Sequence, residues 1–330
     1  MDRTLKQSTK KRLVALSTWA FFSIGIYAAF QKARTIHWGD VGRSLVDFDL
    51  TTLSLALMCT VISYALYGTF DVLSKIQIGH RVSAAKSALA AFLSFAFNLN
   101  LGSIIGGIAF RFRIYSRFGL EGKITARIIG FSILSNWSGY VLLSGLILTF
   151  APPRLPPDWG FPIGILHSIG AVMLTCALAY LFACQFFRRR EIKLFNKPFD
   201  LPTGRMALAQ LVLSSLSWLA IASVIFVLFK QRIPFSEVLA IFLISGFAGV
   251  ITHVPAGLGV TEAVFLEILE HQLPEHEIMA TVLVFRAVYY ILPFIFSIFI
   301  YAGVELTARK RRLSSATPQW LDDSSLSLRR

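Results

Sequence analysis

The sequence is poor in the residues on which covalent and metal chemistry depend. Its 330 residues include three cysteines, Cys59, Cys176 and Cys184, which all fall inside apolar runs without metal-like spacing. Such cysteines are typically small buried hydrophobic side chains. The sequence contains no G-x-S-x-G motif, P-loop, H-E-x-x-H motif or paired cysteines. We therefore expect no disulfide, no metal site and no cofactor, and we identify no catalytic nucleophile.

Acidic residues are also scarce, with 18 Asp and Glu against 32 Lys and Arg. The resulting net charge of +14, together with 29 phenylalanines, would suit a nucleic-acid-binding protein. The basic residues, however, stand in short loops beside apolar segments, as they do in the cytoplasmic loops of membrane proteins. The charge therefore indicates membrane orientation and no nucleic-acid partner.

Apolar segments, by contrast, are abundant, since 55% of the residues are hydrophobic. Runs of about 18 to 30 residues recur, which is the length that crosses a ~30 Å hydrocarbon core. The first run follows a basic N-terminus but lacks a signal-peptidase site, which predicts an uncleaved span. The eight runs are Leu13–Phe30, Leu50–Phe70, Ser87–Phe110, Ala126–Phe150, Phe161–Phe187, Met206–Phe229, Phe235 to about Leu269, and Ile278–Gly303.

Loop charges indicate that two of these runs do not cross the membrane. Eight single crossings from a cytoplasmic N-terminus would place the two most basic loops, residues 111–127 and 188–205, outside the cell. The conflict disappears if the third run, about 87–110, is a re-entrant hairpin that opens inward. A second hairpin at about 235–271 then returns the basic tail to the cytoplasm. A single span remains the alternative for 87–110.

The predicted fold is therefore an all-α polytopic membrane protein, with about six full spans and two re-entrant helical hairpins arranged as an inverted repeat. We expect residues 1–12 to be cytoplasmic, 13–150 to form the first repeat and 151–304 to form the second. Residues 305–330 should be a basic, disordered cytoplasmic tail. GGIAFR (Gly106–Arg111) and GLGVTE (Gly257–Glu262) support the repeat faintly, because each places a charge at the same offset.

Glycine and proline interrupt both hairpins where a helix would otherwise continue. The breaks are Gly102, Gly106 and Gly107 in the first hairpin and Pro255, Gly257 and Gly259 in the second. Peptide groups freed at membrane depth are tolerated only when they are buried in protein or line a watery cavity. We therefore predict that the function lies where these breaks meet, at the interface of the two repeats.

Arg286 stands about nine residues inside the last span, which puts it roughly 13 Å below the outer surface. An arginine near the midplane costs about 3 kcal/mol on insertion scales and is rarely kept without a partner. Glu262, just past the second hairpin tip, should reach a similar depth. Two roles stay open for Arg286, a structural ion pair with Glu262 or binding of a lipid-headgroup phosphate.

Further polar residues complete the candidate site. Arg111, Arg113 and Arg117 recur at near-helical spacing and either gather anionic headgroups or simply anchor the chain at the cytoplasmic face. Polar residues within the apolar runs either bond between helices or line a cavity. The candidate lipid-binding or translocation residues are Arg286, Glu262, Arg111, Arg113, Asn98, Asn100, Asn136 and His253.

Two stretches resemble a known family. HVPAGLGVTEAVF, followed by FRAVYY, resembles the signature of the lysylphosphatidylglycerol synthase transmembrane-region family, and GGIAFRFRIYSRFGL resembles its first-half motif. In bifunctional members this region flips aminoacylated phosphatidylglycerol, which a separate C-terminal domain makes. The resemblance implies a stand-alone bacterial inner-membrane protein without the synthase domain. Ser135 and Asn136 stand where the family often has a Glu-Arg pair, which argues against the same lipid.

Three functions follow as hypotheses. The first is non-enzymatic flipping or scrambling of a polar or anionic lipid, such as a phospholipid or a polyprenyl phosphate, with both termini cytoplasmic. The second is a membrane scaffold or regulator of envelope-lipid enzymes, in which buried charges only hold helices together. The third is an intramembrane transferase with Glu262 or His253 as its base. The sequence leaves the oligomeric state open.

Overall fold

The chain forms helices that run back and forth between two faces of the molecule. The computed structural model describes residues 38–156, 159–160, 162–186, 191–194, 197–252, 254 and 257–315, without the side chains of 38, 191–194, 197–200 and 307–315. The elements are α1 (Trp38–Val46), α2 (Leu50–Ile78), α3 (Ala84–Leu101), the π-helix π1 (Ser103–Ala109), α4 (Phe110–Arg117), α5 (Gly122–Phe150), α6 (Ile163–Phe186), β1 (Glu191–Leu194), β2 (Lys197–Asp200), α7 (Gly204–Leu228), α8 (Phe235–Thr252), α9 (Val260–Leu269), α10 (Glu275–Phe285), the π-helix π2 (Arg286–Ile291) and α11 (Leu292–Ser315).

Seven helical stretches in the described part of the chain are long and apolar enough to cross a membrane. They are Leu50–Ile78, Ala84–Leu101, Gly122–Phe150, Ile163–Phe186, Gly204–Leu228, Phe235–Thr252 and Glu275–Leu306. The second and the sixth are first limbs of hairpins. The remaining predicted span, Leu13–Phe30, lies outside the described residues. Apart from the antiparallel pair β1 and β2, the elements of the described residues are all helices, so the fold class is all-α, as predicted.

Side-chain caps fix where several helices begin. The carboxylate of Asp49 accepts a hydrogen bond from the backbone N–H of Thr52 at 3.2 Å, and the hydroxyl of Thr203 accepts one from Met206 at 3.2 Å. These bonds satisfy donors that the first helical turn leaves without partners. The caps therefore set the starts of α2 and α7.

The first predicted hairpin is present, with different proportions. We call α3, π1 and α4 hairpin 1. The chain reverses at Gly102, whose φ of 81° suits glycine, and a Cβ on Gly106 would lie 2.0 Å from the carbonyl oxygen of Phe97. The Phe97 and Phe110 rings stack at 3.8 Å. At the open end, Lys86 Nζ lies 5.6 Å from the centre of the Phe118 ring.

The limbs of hairpin 1 are longer and less equal than predicted. Its first limb alone has 18 residues, which is about 27 Å of helix, whereas a turn in the middle of 87–110 predicted about 18 Å. The reason is that Asn98 and Asn100 do not break the helix. Asn100 Nδ2 donates to the carbonyl of Ala96 at 2.8 Å, so the helix continues to Leu101.

The second hairpin, hairpin 2, consists of α8 and α9. Gly257 and Gly259, with φ of 58° and 79°, lie at its tip. At its open end Gln272 Nε2 donates to Glu237 Oε1 at 2.8 Å, which joins the start of α8 to the residues after α9. The chain therefore enters and leaves this hairpin on one side.

The ends of the elements define two faces. Arg117 Nη2 lies 2.5 Å from Glu305 Oε1, which joins the end of hairpin 1 to α11 on what we call the hairpin-1 face. On the opposite, hairpin-2 face, Lys230 Nζ donates to the carbonyl of Asp47 at 3.1 Å. Arg232 pairs there with Glu277 at the start of α10. The two hairpins therefore open toward opposite faces.

The core lies between α2, α7, hairpin 2 and α10. Large side chains that are at most 1% exposed fill it, including Phe70, Ile225, Phe265, Phe285 and Tyr289. At the C-terminus the helix α11 continues to Ser315, beyond the expected start of a disordered tail at 305. The predicted cytoplasmic residues 1–12 and the tail after 315 lie outside the described residues.

Candidate functional site

A buried ion pair joins the tip of hairpin 2 to the last span. The Arg286 guanidinium contacts the Glu262 carboxylate through Nε and Nη2, and Nη2 lies 2.9 Å from Oε2. Nη2 also donates to the carbonyl of Gly257 at 2.7 Å. The side chains of Arg286 and Glu262 are 9% and 13% exposed. One guanidinium thus holds both a carboxylate and the backbone of the hairpin tip.

Arg286 is also the first residue of π2, whose wider hydrogen-bond spacing makes backbone carbonyls available to other partners. The Tyr64 hydroxyl donates to the carbonyl of Tyr289 at 3.0 Å. Asn100 Nδ2, from hairpin 1, donates to the carbonyl of Tyr290 at 3.2 Å. The π-helical turn is therefore the place where both hairpins meet the last span.

A series of aromatic rings runs from Arg286 to Arg111. The rings are, in order, Tyr290, Tyr289, Phe95 and Tyr67. Neighbouring ring centroids lie 5.7, 6.5 and 3.7 Å apart. The guanidinium carbons of Arg286 and Arg111 lie 5.1 and 6.0 Å from the first and last ring. Cations favour the faces of aromatic rings. A row of aromatic side chains therefore separates the two arginines, and each arginine contacts one end of that row.

Arg111 is buried against Asp71, a carboxylate that the sequence analysis missed. Arg111 Nη2 lies 3.0 Å from Asp71 Oδ1, and the two side chains are 5% and 0% exposed. Ser132 Oγ donates to Oδ1 at 2.5 Å, and the Tyr115 hydroxyl donates to Oδ2 at 2.7 Å. Asp71 therefore ties hairpin 1 to α2 and α5. Asp71 is the single acidic residue of α2 and directly follows the predicted apolar run Leu50–Phe70. An acidic residue in that position was the sequence signal that could have identified it.

The other arginines of this motif lie apart from Arg111. Arg113 has a side chain that is 56% exposed, and its Nη2 lies 3.7 Å from Glu305 Oε1. Arg117 contacts the same carboxylate. These two residues therefore lie at the hairpin-1 face, while Arg111 lies in the interior.

The predicted asparagines occupy helix contacts. Asn98 lies against the returning limb of hairpin 1, where a Cβ on Gly107 would come within 2.9 Å of its Oδ1. The carbonyl of Asn136 accepts hydrogen bonds from Ser214 Oγ at 2.8 Å and from Trp218 Nε1 at 3.1 Å. Asn136 therefore joins α5 to α7. His253 and Pro255 lie outside the described residues.

A neutral hydrogen-bond network surrounds Ser135. Ser135 Oγ accepts a hydrogen bond from Gln210 Nε2 at 2.8 Å, and Gln210 Oε1 accepts one from the Tyr180 hydroxyl at 2.7 Å. Gln210 and Ser135 are fully buried. This network connects α5, α6 and α7 without a charge.

Two apolar cavities flank π2 and the tip of hairpin 2. One, of about 500 Å³, lies between α2, α3 and α11 and is lined by Tyr64 and Leu292. The other, of about 430 Å³, lies between α5, α6, α8 and α9. Its wall includes Ala263 and Val264, which directly follow Glu262, and one carboxylate, Glu267. The first cavity thus borders the residue after π2, and the second borders the residues after Glu262.

Near the hairpin-1 face, His80 is buried in the turn after α2. Burial and the nearby charge of Lys75 lower the pKa of its imidazole. Lys75 Nζ itself donates to the carbonyls of His80 at 3.2 Å and Val82 at 2.7 Å. Among the described residues no group of three His, Cys, Asp or Glu side chains is placed to hold a metal ion.

Comparison with known proteins gives one family, two relatives matched along most of their length, and enzymes matched over part of theirs. The family described as lysylphosphatidylglycerol synthase TM region matches residues 14–297. Inner membrane protein YbhN of Escherichia coli K12 is 36% identical over 297 residues, which are 89% of this chain and 93% of that protein. Uncharacterized protein slr0712 of Synechocystis is 26% identical over 294 residues, 88% and 91% of the two chains. Phosphatidylglycerol lysyltransferase of Staphylococcus aureus (strain COL) is 22% identical over 310 residues, covering 89% of this chain and 35% of the enzyme.

Proposed function

The chain belongs to the lysylphosphatidylglycerol synthase transmembrane-region family and is an integral membrane protein, and from this we propose that it moves a polar or anionic lipid between the leaflets of the bacterial inner membrane. The inner-membrane location rests on similarity to a protein named for that membrane. The lipid substrate class rests on the family description and on the guanidinium chemistry of the site.

The observation that carries the proposal is the position of Arg286. Its guanidinium is buried, contacts the tip of one hairpin through Gly257 and starts a π-helical turn that the other hairpin contacts through Asn100. Inverted repeats with broken helices that meet near the midplane are a transporter architecture. A planar guanidinium also matches two phosphate oxygens as well as it matches a carboxylate.

The proposed mechanism is an exchange of partners at Arg286. Leaving a buried charge without a partner costs about 3–5 kcal/mol, so Arg286 would release Glu262 only as a lipid phosphate replaces it. Moving hairpin 2 relative to π2 breaks the contacts of Arg286 with Glu262 and Gly257 together. No covalent bond changes in this cycle.

The apolar cavities suit the tails of such a lipid. The cavity beside hairpin 1 has about 500 Å³ and the one beside hairpin 2 about 430 Å³. Leu292, which directly follows π2, lines the first cavity, and Ala263, which directly follows Glu262, lines the second. We propose that an acyl chain in either one keeps its headgroup near Arg286. We propose that they serve opposite leaflets.

We further propose that the hairpin-1 face is cytoplasmic. Basic residues are frequent in the loops of that face, whereas the hairpin-2 face carries Glu237, Glu270, Glu275 and Glu277. This orientation places both termini in the cytoplasm. The two hairpins and their flanking spans would then form the two halves of an inverted repeat, with Arg111, Arg113, Asn98 and Asn136 on the first half of the path.

A second candidate function is a membrane scaffold or regulator of lipid enzymes. The observation that favours it is that both buried ion pairs are closed. Asp71 receives a cation and two hydroxyl donors, and Glu262 receives a bidentate arginine. In this alternative the two ion pairs only hold the hairpins in place and stay intact.

Reconstitution into liposomes separates these functions. Labelled phosphatidylglycerol or polyprenyl phosphate is placed in both leaflets, and a membrane-impermeant quencher then reports how fast inner-leaflet lipid reaches the outer leaflet. We expect the wild-type chain to raise this rate above that of protein-free liposomes. Arg286→Gln should bring the rate close to the protein-free value, because an amide cannot replace the charge that binds phosphate.

Arg43→Gln is the matched control, since Arg43 is an exposed arginine paired with Asp40 on the surface. Its rate should equal that of the wild type. A wild-type rate no higher than that of protein-free liposomes, for both lipids, would rule out translocation and favour the scaffold.

A further inference from the structure

A polar cavity of about 310 Å³ lies at the hairpin-2 face, apart from Arg286. It is enclosed by the corner between α1 and α2, the turn after α7 and the start of α10. Two cations, Lys230 and Arg232, line it together with the hydroxyl or imidazole groups of Ser44, His276 and Thr281 and two acidic residues, Asp47 and Glu277. Such a set of donors around one space matches the several oxygens of a phosphate group.

The two cations differ in their partners. Arg232 pairs with Glu277, which also lines the cavity. Lys230 Nζ donates to a carbonyl oxygen, that of Asp47, and lies 5.9 Å from the centre of the Phe48 ring. Within the described ranges no carboxylate comes within ion-pair distance of Lys230. The direct partner of Lys230 Nζ is thus a backbone oxygen and no carboxylate, while the nearby Asp49 interacts with its charge through space.

The backbone that presents Lys230 is unusual. Lys230 and Gln231 have φ of 52° and 59°, and they are the non-glycine residues of the described chain with positive φ. Their N–H groups bond back to the carbonyls of Val227 and Phe226, which closes the end of α7. Glycine is the usual residue at such a helix end, because other side chains raise the energy of this conformation.

The surroundings of the cavity place it at the edge of the membrane. Val46 and Leu50, which flank the corner between α1 and α2, are 84% and 80% exposed. Apolar side chains this exposed, beside charged ones, are typical of the boundary between acyl chains and headgroups. The cavity opening next to them is therefore at the level of lipid phosphates.

We propose that this cavity binds the phosphate group of a phospholipid headgroup in the adjoining leaflet, with Lys230 as its main cationic contact and Arg232 as the second. The site goes beyond the translocation proposal, because it does not involve Arg286 or either hairpin tip. It would hold a lipid at the hairpin-2 face whether or not the protein moves lipid across the bilayer.

Binding of a short-chain lipid tests this site. The purified full-length chain in a maltoside detergent is titrated with dihexanoyl-phosphatidylglycerol, and in a separate experiment with inorganic phosphate, and ³¹P NMR line widths give the dissociation constants. We expect Lys230→Gln to weaken binding of the short-chain lipid about tenfold or more, as loss of a charge-assisted hydrogen bond does. Thr281→Val, which removes one donor and keeps the shape, should weaken it less.

Two control variants should bind as the wild type does. Gln231→Gly keeps the left-handed turn and both cations, and Arg43→Gln removes a cation of the same face that does not line the cavity. The Lys230→Gln comparison is repeated in an Arg286→Gln background, which removes the headgroup contact proposed for translocation, and the tenfold loss should persist there, which separates failure of the cavity from failure of translocation. Equal affinity of wild type and Lys230→Gln would overturn the proposal, and inorganic phosphate binding as tightly as the lipid would overturn the lipid as its source.

Discussion

At the scale of single residues, the free energy of a buried charge depends on which groups neutralise it. Asp71 and Arg111 are almost fully buried, and Asp71 also accepts hydrogen bonds from Ser132 and Tyr115. Removing one member leaves the other charged in a medium of low polarity. This pair should therefore dominate the stability of hairpin 1.

Asp71→Asn should lower the free energy of unfolding by about 3–5 kcal/mol, because it strands the Arg111 charge while keeping an oxygen for Ser132. In an Arg111→Met background the same substitution should cost much less, since no charge is stranded. Unfolding in detergent micelles measures both. Asp40→Asn, in an exposed pair, is the control and should change stability by no more than about 0.5 kcal/mol. Equal costs of Asp71→Asn in the two backgrounds would contradict this reading.

The sequence indicated one of the two buried ion pairs, Glu262 with Arg286, and did not indicate the other, Asp71 with Arg111. Glu262 and Arg286 both stand within long apolar runs, so depth alone suggested their contact. Asp71 stands at the end of a run, where hydropathy predicts a loop, yet α2 continues to Ile78 because its last turns face hairpin 1. The contacts of Tyr64 and Asn100 with π2 join residues about 190 or more positions apart, and no local pattern encodes such a register.

At the scale of elements, the hairpins depend on close approach of their limbs. The glycines of the sequence predicted the position of each chain reversal, because glycine permits the positive φ angles and the close contact between limbs that are found there. The lengths of the limbs were not predictable in the same way. Asparagines within α3 looked like helix breakers, but the side chain of Asn100 is satisfied by backbone carbonyls and the helix continues past it.

Gly106→Ala should disrupt hairpin 1. The added Cβ would lie 2.0 Å from the carbonyl oxygen of Phe97, so the limbs would have to separate and the Phe97–Phe110 stacking would be lost. We expect a large loss of folded protein, measured as the monodisperse fraction after detergent extraction. Gly130→Ala in α5 meets no atom within 4 Å, and it should leave stability unchanged or raise it by about 0.5–1 kcal/mol. Equal yields of the two variants would contradict the packing described.

At the scale of the whole molecule, two oppositely opening hairpins contact one π-helical turn. Loop charges, together with the polar and glycine-rich breaks, predicted the two hairpins and their opposite sense, because the basic loops then all lie on one side of the membrane. The inverted repeat, the orientation of the termini and the transport path remain proposals. They share one requirement, which is that the contact between Glu262 and Arg286 opens.

The most direct test compares two substitutions in the same pair, Glu262→Gln and Arg286→Gln, by their rates of labelled-lipid movement in liposomes. If Arg286 exchanges Glu262 for a lipid phosphate, the two partners are not equivalent. Glu262→Gln keeps the cation that binds lipid and weakens its competitor, so translocation should persist at or above the wild-type rate, while Arg286→Gln should abolish it. Equal loss of translocation in both variants, with equal loss of stability, would mean that the pair is a structural fastening and would contradict the account.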